Sequence, residues 1–475
     1  MEKLKKKYGL WTGIAMVVGI VVGSGVFVKA GGVLETAGGD LKFSLLAWFV
    51  GGAVMIVSAF CFAIFATKVS KFNGVVDYVE SVSNKRVGYH LAWVMTTLYY
   101  PIVASIVALI AGSYLFSLLG LNYGIASYQN LIVAFVLITF FAILNYLAPR
   151  LSSRFQVSAT IIKLVPILVI AFIGLLASFI LESDVGITNA FTVLGTRADG
   201  SAYPLQFGEA VKKTSFAYEG WVCATAINAE LKDSKKNLPR ALVGGTIAIL
   251  IFYLLYYLSL SALLRNSATI MAGANAPLEA FTKFMGSFGS KIFIAFIIVS
   301  CLGTVNGVAI SCCRGMYTMS CRGLGPAPKQ FAKLNPKCQT SFLSSLFGYF
   351  MMCLLLLVWY ATLNGFGLFK YLGSMDEIIC AIIYAIYITM YVYIMRNFKE
   401  LNPFKRYVLP TLAILGSLFF TLCGSGLYQL IFDGSAESLK AFGVFLILLA
   451  ITSLPSLFFY RKEARNTVEI ISEEV

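Results

Sequence analysis

The chain is poor in charge and nearly without histidine. Of its 475 residues only 12% are Asp, Glu, Lys or Arg, roughly half of what a soluble chain carries. That shortage excludes a soluble globular protein of this size. There is one histidine, His90, and no Cys/His cluster at metal-ligand spacing, so neither a metal site nor a cofactor is expected. No nucleophile–base set and no phosphate loop stands out, which sets a membrane enzyme aside. The ten-residue alternating segments of a β-barrel are also missing. The ten cysteines all fall in apolar spans or basic loops, leaving none for an external disulfide. The leading MEKLKKK imitates a signal peptide. The apolar run behind it is too long, lacks a small-x-small cleavage site and leads into further spans, so the segment is expected to stay in the mature protein.

What is present is apolar length. Hydrophobic residues make up 59% of the sequence, and uncharged runs long enough to cross a bilayer recur throughout. This predicts an all-α polytopic membrane protein whose partner is the lipid bilayer. The net charge of +15 does not point to nucleic acid, because most of the 37 Lys and Arg lie in the terminal segments and every second loop. That bias predicts an even number of spans with both termini cytoplasmic, in the cell membrane. Twelve spans fit: 10–34, 43–66, 91–119, 129–148, 157–181, 212–232, 240–264, 290–320, 342–362, 369–395, 407–432 and 440–460. Residues 71–90 read as a polar cytoplasmic stretch, 182–206 as an external loop, and LEAFTKFMG within 265–289 as a short surface helix. Pro239 suits the first turn of the seventh span.

Two spans cannot stay helical. In the first, Gly23-Ser24-Gly25 interrupts an uncharged run from Trp11 to Val28, and each glycine costs about 1 kcal/mol in a helix interior. The freed backbone groups need protein, water or a ligand. The N–H groups of Ser24, Gly25 and Val26 would favour an anion. The carbonyls ending the preceding half near Val22 would favour a cation, so together they suit an amino acid zwitterion. The plainer reading is close packing of small residues. The sixth span is broken at Tyr218-Glu219-Gly220. The breaks lie five spans apart, and an odd number of spans per half inverts the second half. Paired broken helices in inverted halves point to a midplane transport site. The expected layout is a first repeat over 1–181, a second over 182–396, two further spans in 397–462 and a tail over 463–475.

Two charged residues stand inside spans. Lys163 lies about six residues, roughly 9 Å, inside the fifth span. An amine there is expensive; it could bond the carbonyls around Gly19–Val22 and brace the first span, or snorkel to the interface. Glu219 could meet a cationic substrate group, Lys163 or water.

Gly23-Ser24-Gly25-Val26-Phe27, Phe216-Ala217-Tyr218-Glu219-Gly220-Trp221 and Glu230-Leu231-Lys232 with Asn237-Leu238-Pro239-Arg240-Ala241 resemble the amino acid–polyamine–organocation superfamily. More narrowly, they resemble its L-type amino acid transporters and their bacterial relatives. The resemblance covers nearly the whole chain. It implies the LeuT-type fold of five plus five inverted spans with two peripheral ones. It also implies a substrate held between spans one and six, at Val22, Gly23, Ser24, Gly25, Val26, Phe216, Ala217 and Glu219. Lys163 would stand where sodium-coupled relatives hold sodium, Phe216 would close over the substrate, and Tyr253 would be a possible gate. The implied function is a sodium-independent exchanger of small or medium neutral L-amino acids; the alternative is a cationic amino acid or polyamine antiporter. A channel would favour a lining ring over paired broken helices. The chain departs from the family at Ala229-Glu230, at Ser234 and at Cys321-Arg322-Gly323, where an acid is missing. Animal members bond a heavy subunit through a cysteine after span three. Residues 120–129 hold none, so no disulfide-linked partner is expected.

Overall fold

The structure, a computed structural model, describes residues 9–68, 75–121, 123–176, 186–194, 201–222 and 231–460. Among them there is no strand; one isolated bridge pairs Ala37 with Leu205. The chain opens with three short helices, α1 (Leu10–Val21), α2 (Gly25–Val28) and α3 (Ala30–Thr36). The first half continues with α4 (Leu41–Lys68), α5 (Val75–Val82), α6 (Lys85–Leu118), α7 (Tyr128–Leu147) and α8 (Pro149–Phe172). The second begins with α9 (Phe207–Ala217) and runs through α10 (Ser234–Leu263), α11 (Asn266–Ala272), α12 (Ala276–Ser320), α13 (Phe342–Leu363) and α14 (Met375–Asn397). The last helices are α15 (Phe404–Gly424), α16 (Leu427–Phe432) and α17 (Glu437–Phe459). Ten helices among the described residues are long and apolar enough to cross a bilayer, which makes this a multi-pass membrane protein.

Local chemistry sets several boundaries. Asn84, Ser127 and Ser341 cap α6, α7 and α13, each side chain accepting from the backbone N–H three residues on. Pro149 opens α8, where its missing N–H would have had no helical partner. Gly286 takes φ 69° and kinks α12, which sets off the short helix expected around LEAFTKFMG from the long run that follows.

One expectation gains detail and two change. The stretch 71–90, expected only as polar, is helical over most of its described residues: α5 and the start of α6 occupy them. The fifth span begins at Pro149, not near 157, so Lys163 lies fourteen residues into α8. The seventh starts at Ser234, which puts Pro239 inside α10. Helix α5 folds because its Val75, Val76, Tyr78 and Val79 are buried and its polar side is clamped. Arg322, just after α12, pairs with Asp77 and with Glu80 at 2.8 Å. The acid missing beside Arg322 in sequence is supplied from α5.

The helices pack around a core where α4 and α10 lie together. Gly51 and Gly52 leave α4 without side chains opposite Thr214, Tyr218 and Leu250, so α9 and α10 approach its backbone closely. Helix α17 stays outside: 11% of its apolar window is buried, against 72% for α6. It is fastened to α6 by His90 Nδ1 and Ser456 Oγ at 2.8 Å and by Trp93 Nε1 donating to the Thr452 carbonyl at 2.8 Å.

Candidate functional site

The first break falls at Val22–Ser24. Helix α1 ends with Val22 extended (ψ 105°) and α2 starts at Gly25. The first bonds after the break come from Phe27 and Val28, both donating to the Ser24 carbonyl. The N–H groups of Gly23, Ser24, Gly25 and Val26 therefore find no backbone partner among the described residues. Past the break, Lys29 carries helical geometry on into α3, so residues 25–36 act as one short helix.

The second break is fixed by the aromatics around it. The Tyr218 hydroxyl donates to the Trp48 carbonyl on α4 at 2.9 Å, and the two rings meet edge to face at 5.7 Å. Trp221 packs on Phe62 at 4.9 Å, and its indole N–H reaches the Tyr384 hydroxyl at 3.2 Å. Between these anchors Gly220 takes φ 101°, a conformation that only glycine adopts cheaply. Residues 223–230, with Ala229 and Glu230, lie outside the described residues.

The two breaks meet. A Cβ built on Gly25 would stand 2.7 Å from Ala217 Cα, so here the backbones touch. Tyr253 on α10 stitches them from behind, its hydroxyl near the Ala217 carbonyl (3.2 Å) and the Val21 carbonyl (3.4 Å). It is fully buried and is not among the residues lining the cavity.

In front of the junction lies a cavity of about 330 Å³. Of the residues singled out in the sequence, Gly23, Ser24, Gly25, Phe216, Ala217, Glu219 and Lys163 line it; Val22, Val26 and Tyr253 do not. The Tyr99 hydroxyl donates to Glu219 Oε1 at 3.1 Å. Lys163 is 1% exposed, its backbone N–H donates to the Ala159 carbonyl at 3.0 Å, and its amine holds no hydrogen bond or ion pair among the described residues, the carbonyls around Gly19–Val22 included. It is nonetheless close to the first span: a Cβ on Gly19 would run into Thr160, three residues before Lys163.

Sequence reasoning missed two groups. Tyr99 and Tyr100 on α6, Gln156 on α8, and Thr304 and Ser311 on α12 complete the wall. They carry no break or buried charge to mark them in an uncharged run. The second group is a cluster of charges next to the cavity. Lys29 Nζ stands 2.6 Å from Glu377 Oε1 and 2.9 Å from Asp376 Oδ2, at the first turn of α14. Lys212 pairs with Glu209 at 2.8 Å and lies 3.9 Å from Glu377; Lys213 lies 3.8 Å from Glu209. Gln429 and Ser438 donate to the same Glu209 oxygen. Three cations face three carboxylates. The Lys29 amine also sits over the Phe216 ring, 5.3 Å from its centroid, so Phe216 stands between the cluster and the cavity.

Lys29→Ala is expected to leave Asp376 and Glu377, both 3% exposed, without their nearest counter-charge. Removing one partner of a buried pair costs about 3–5 kcal/mol. The measurement is the melting temperature of the detergent-purified protein, which should fall by several degrees. An unchanged Tm would mean that the cluster does not hold α2 to α14.

The geometry can be set against known proteins. The profile of a family described as amino acid permease matches residues 8–453. The serine/threonine exchanger SteT of Bacillus subtilis (strain 168) is 29% identical over 427 residues, covering 88% of this chain and 90% of that one. The mouse large neutral amino acids transporter small subunit 2 is 27% identical over 379 residues, 78% of this chain and 68% of the relative. The human cystine/glutamate transporter is 25% identical over 321 residues, 68% of this chain and 62% of its own length.

Proposed function

This chain belongs to the amino acid permease family, and from that premise we propose that it exchanges small or medium neutral L-amino acids across the cell membrane without sodium. The observation that carries the reading is the junction of two broken helices at one cavity, with four N–H groups of Gly23–Val26 left without backbone partners among the described residues. An α-carboxylate at Ser24, Gly25 and Val26 would satisfy donors that lipid cannot. An α-ammonium would meet the carbonyl ends near Val22 and Phe216. Glu219 and Lys163 in the wall flank the remaining space. The names of the relatives, a serine/threonine exchanger and a large neutral amino acids transporter subunit among them, support the substrate class.

The proposed architecture adds the two interrupted segments to the ten span-length helices. This makes twelve spans in a LeuT-type five-plus-five inverted repeat, with α15 and α17 peripheral and both termini cytoplasmic. Alternating access then opens the junction to one side at a time, Phe216 and the Lys29 cluster closing one mouth. No disulfide-linked subunit is proposed, since the segment between α6 and α7 has no cysteine.

Counterflow in proteoliposomes tests the function. Vesicles preloaded with alanine or serine should take up labelled alanine several-fold faster than empty ones. Equal uptake with and without internal amino acid, across all twenty, would remove exchange from the reading.

A further inference from the structure

We propose that Glu219, oriented by Tyr99, is a specificity residue of the cavity that favours neutral substrates whose side chains donate a hydrogen bond, hydroxyl-bearing ones first. The inference rests on the transport reading above. Glu219 is 8% exposed and is one of the residues that line the cavity. The Tyr99 hydroxyl takes one oxygen, Oε1, and the Gly220 N–H also faces the group. The other oxygen, Oε2, is buried without a hydrogen-bond partner. An ionised carboxylate can only accept, and a buried acceptor without a donor bears its whole desolvation cost. An occupant that brings a donor to Oε2 removes that cost; one that brings a methyl group does not.

The neighbouring polar groups do not offer the same service. The Thr304 hydroxyl donates to the Ser300 carbonyl one turn back at 3.1 Å. Gln156 Oε1 accepts from Asn306 Nδ2 at 3.1 Å, within a buried set that continues through Ser152 to Asn145. Ser24 Oγ in the wall is likewise buried without a hydrogen-bond partner among the described residues, but a hydroxyl accepts less strongly than a carboxylate, which makes Glu219 Oε2 the stronger open acceptor. Lys163 decides between neutral and cationic donors. A side-chain cation in this cavity would gain from Glu219 and be repelled by Lys163, whose amine has no counter-ion of its own among the described residues. A hydroxyl meets only the acceptor.

The test compares pairs of nearly equal shape, serine with alanine and threonine with valine, as competitors of labelled alanine counterflow in proteoliposomes. A hydrogen bond to a charged acceptor corresponds to roughly 10- to 100-fold in affinity, so serine and threonine should compete at least about tenfold better than their partners. In Glu219→Leu, which keeps bulk and removes the acceptor, both ratios should fall toward one. Thermal protection of the purified parent by the same four amino acids repeats the comparison without the variant, should the variant not fold. Parent ratios near one would overturn the proposal, as would ratios that survive in Glu219→Leu. Lysine or arginine competing better than serine would overturn the choice of neutral donors. Alanine counterflow with flat ratios would sink this inference alone, whereas no counterflow of any amino acid would sink the transport reading with it.

Discussion

Gly25→Leu is expected to bring uptake down to the level of empty vesicles while the protein still reaches the membrane. The reason is the contact between the two broken segments. A Cβ at position 25 would lie 2.7 Å from Ala217 Cα and 3.3 Å from Ala217 N. Those are backbone atoms, anchored on one side by Tyr218 on Trp48 and behind by Tyr253. They cannot turn aside as a side chain can, so the first atom of any side chain already pushes α2 from α9. The rest of a leucine would fill the space in front of the free N–H groups. Gly23 gives the contrast: its Cβ would meet Thr304 Oγ1 at 3.2 Å, a rotatable hydroxyl. Gly25→Ala should therefore lose much more uptake than Gly23→Ala. Substrate-dependent thermal stabilisation is the second readout. If alanine protects Gly25→Leu as it protects the parent, the substrate binds elsewhere.

The breaks were legible because they violate a rule within a few residues. Glycines at Gly23 and Gly25, and a charge beside Gly220, interrupt otherwise apolar spans, and such a defect needs no knowledge of the fold. Lys163 was legible for the same reason. Its position along the helix was misjudged, because Arg150 and Arg154 look like loop residues when they lie on the first turns of α8. The wall residues Tyr99, Gln156 and Thr304 break no local rule, and only the packing of α6, α8 and α12 turns them toward the cavity. The charge cluster shows the limit most sharply. Lys29 meets Glu377 across 348 positions of sequence. Taken alone, Lys29 reads as a residue at the rim of the first span, and Asp376 and Glu377 read as favourable first-turn acids of a helix. Nothing local marks them as partners. The same holds for Arg322, whose acids come from a helix in a segment that reads only as a polar stretch.

The cluster also alters the argument about Lys163. Lys29 fastens the second half of the first span to α14, so that half does not depend on Lys163. Nor does snorkelling fit well. Fourteen residues of α8 precede it, about 21 Å of helix, and the side chain is 1% exposed. It stands where three helices converge: Thr160 is pressed against Gly19 of α1, and Ala159 against Gly303 of α12. What remains is its amine in the cavity wall at the break, a cation when protonated. A sodium ion placed there would need the hard oxygens near the end of α1, and two cations a few ångströms apart at low effective dielectric repel by several kcal/mol. Uptake by the parent should therefore be the same in sodium and in choline. Lys163→Ala should lose at least about tenfold in uptake while its melting temperature stays near that of the parent, since no hydrogen bond or ion pair of Lys163 is there to be lost. Strict sodium dependence of the parent would overturn the reading of the amine as the standing cation of the site. Full activity of Lys163→Ala would show that the cavity works without it.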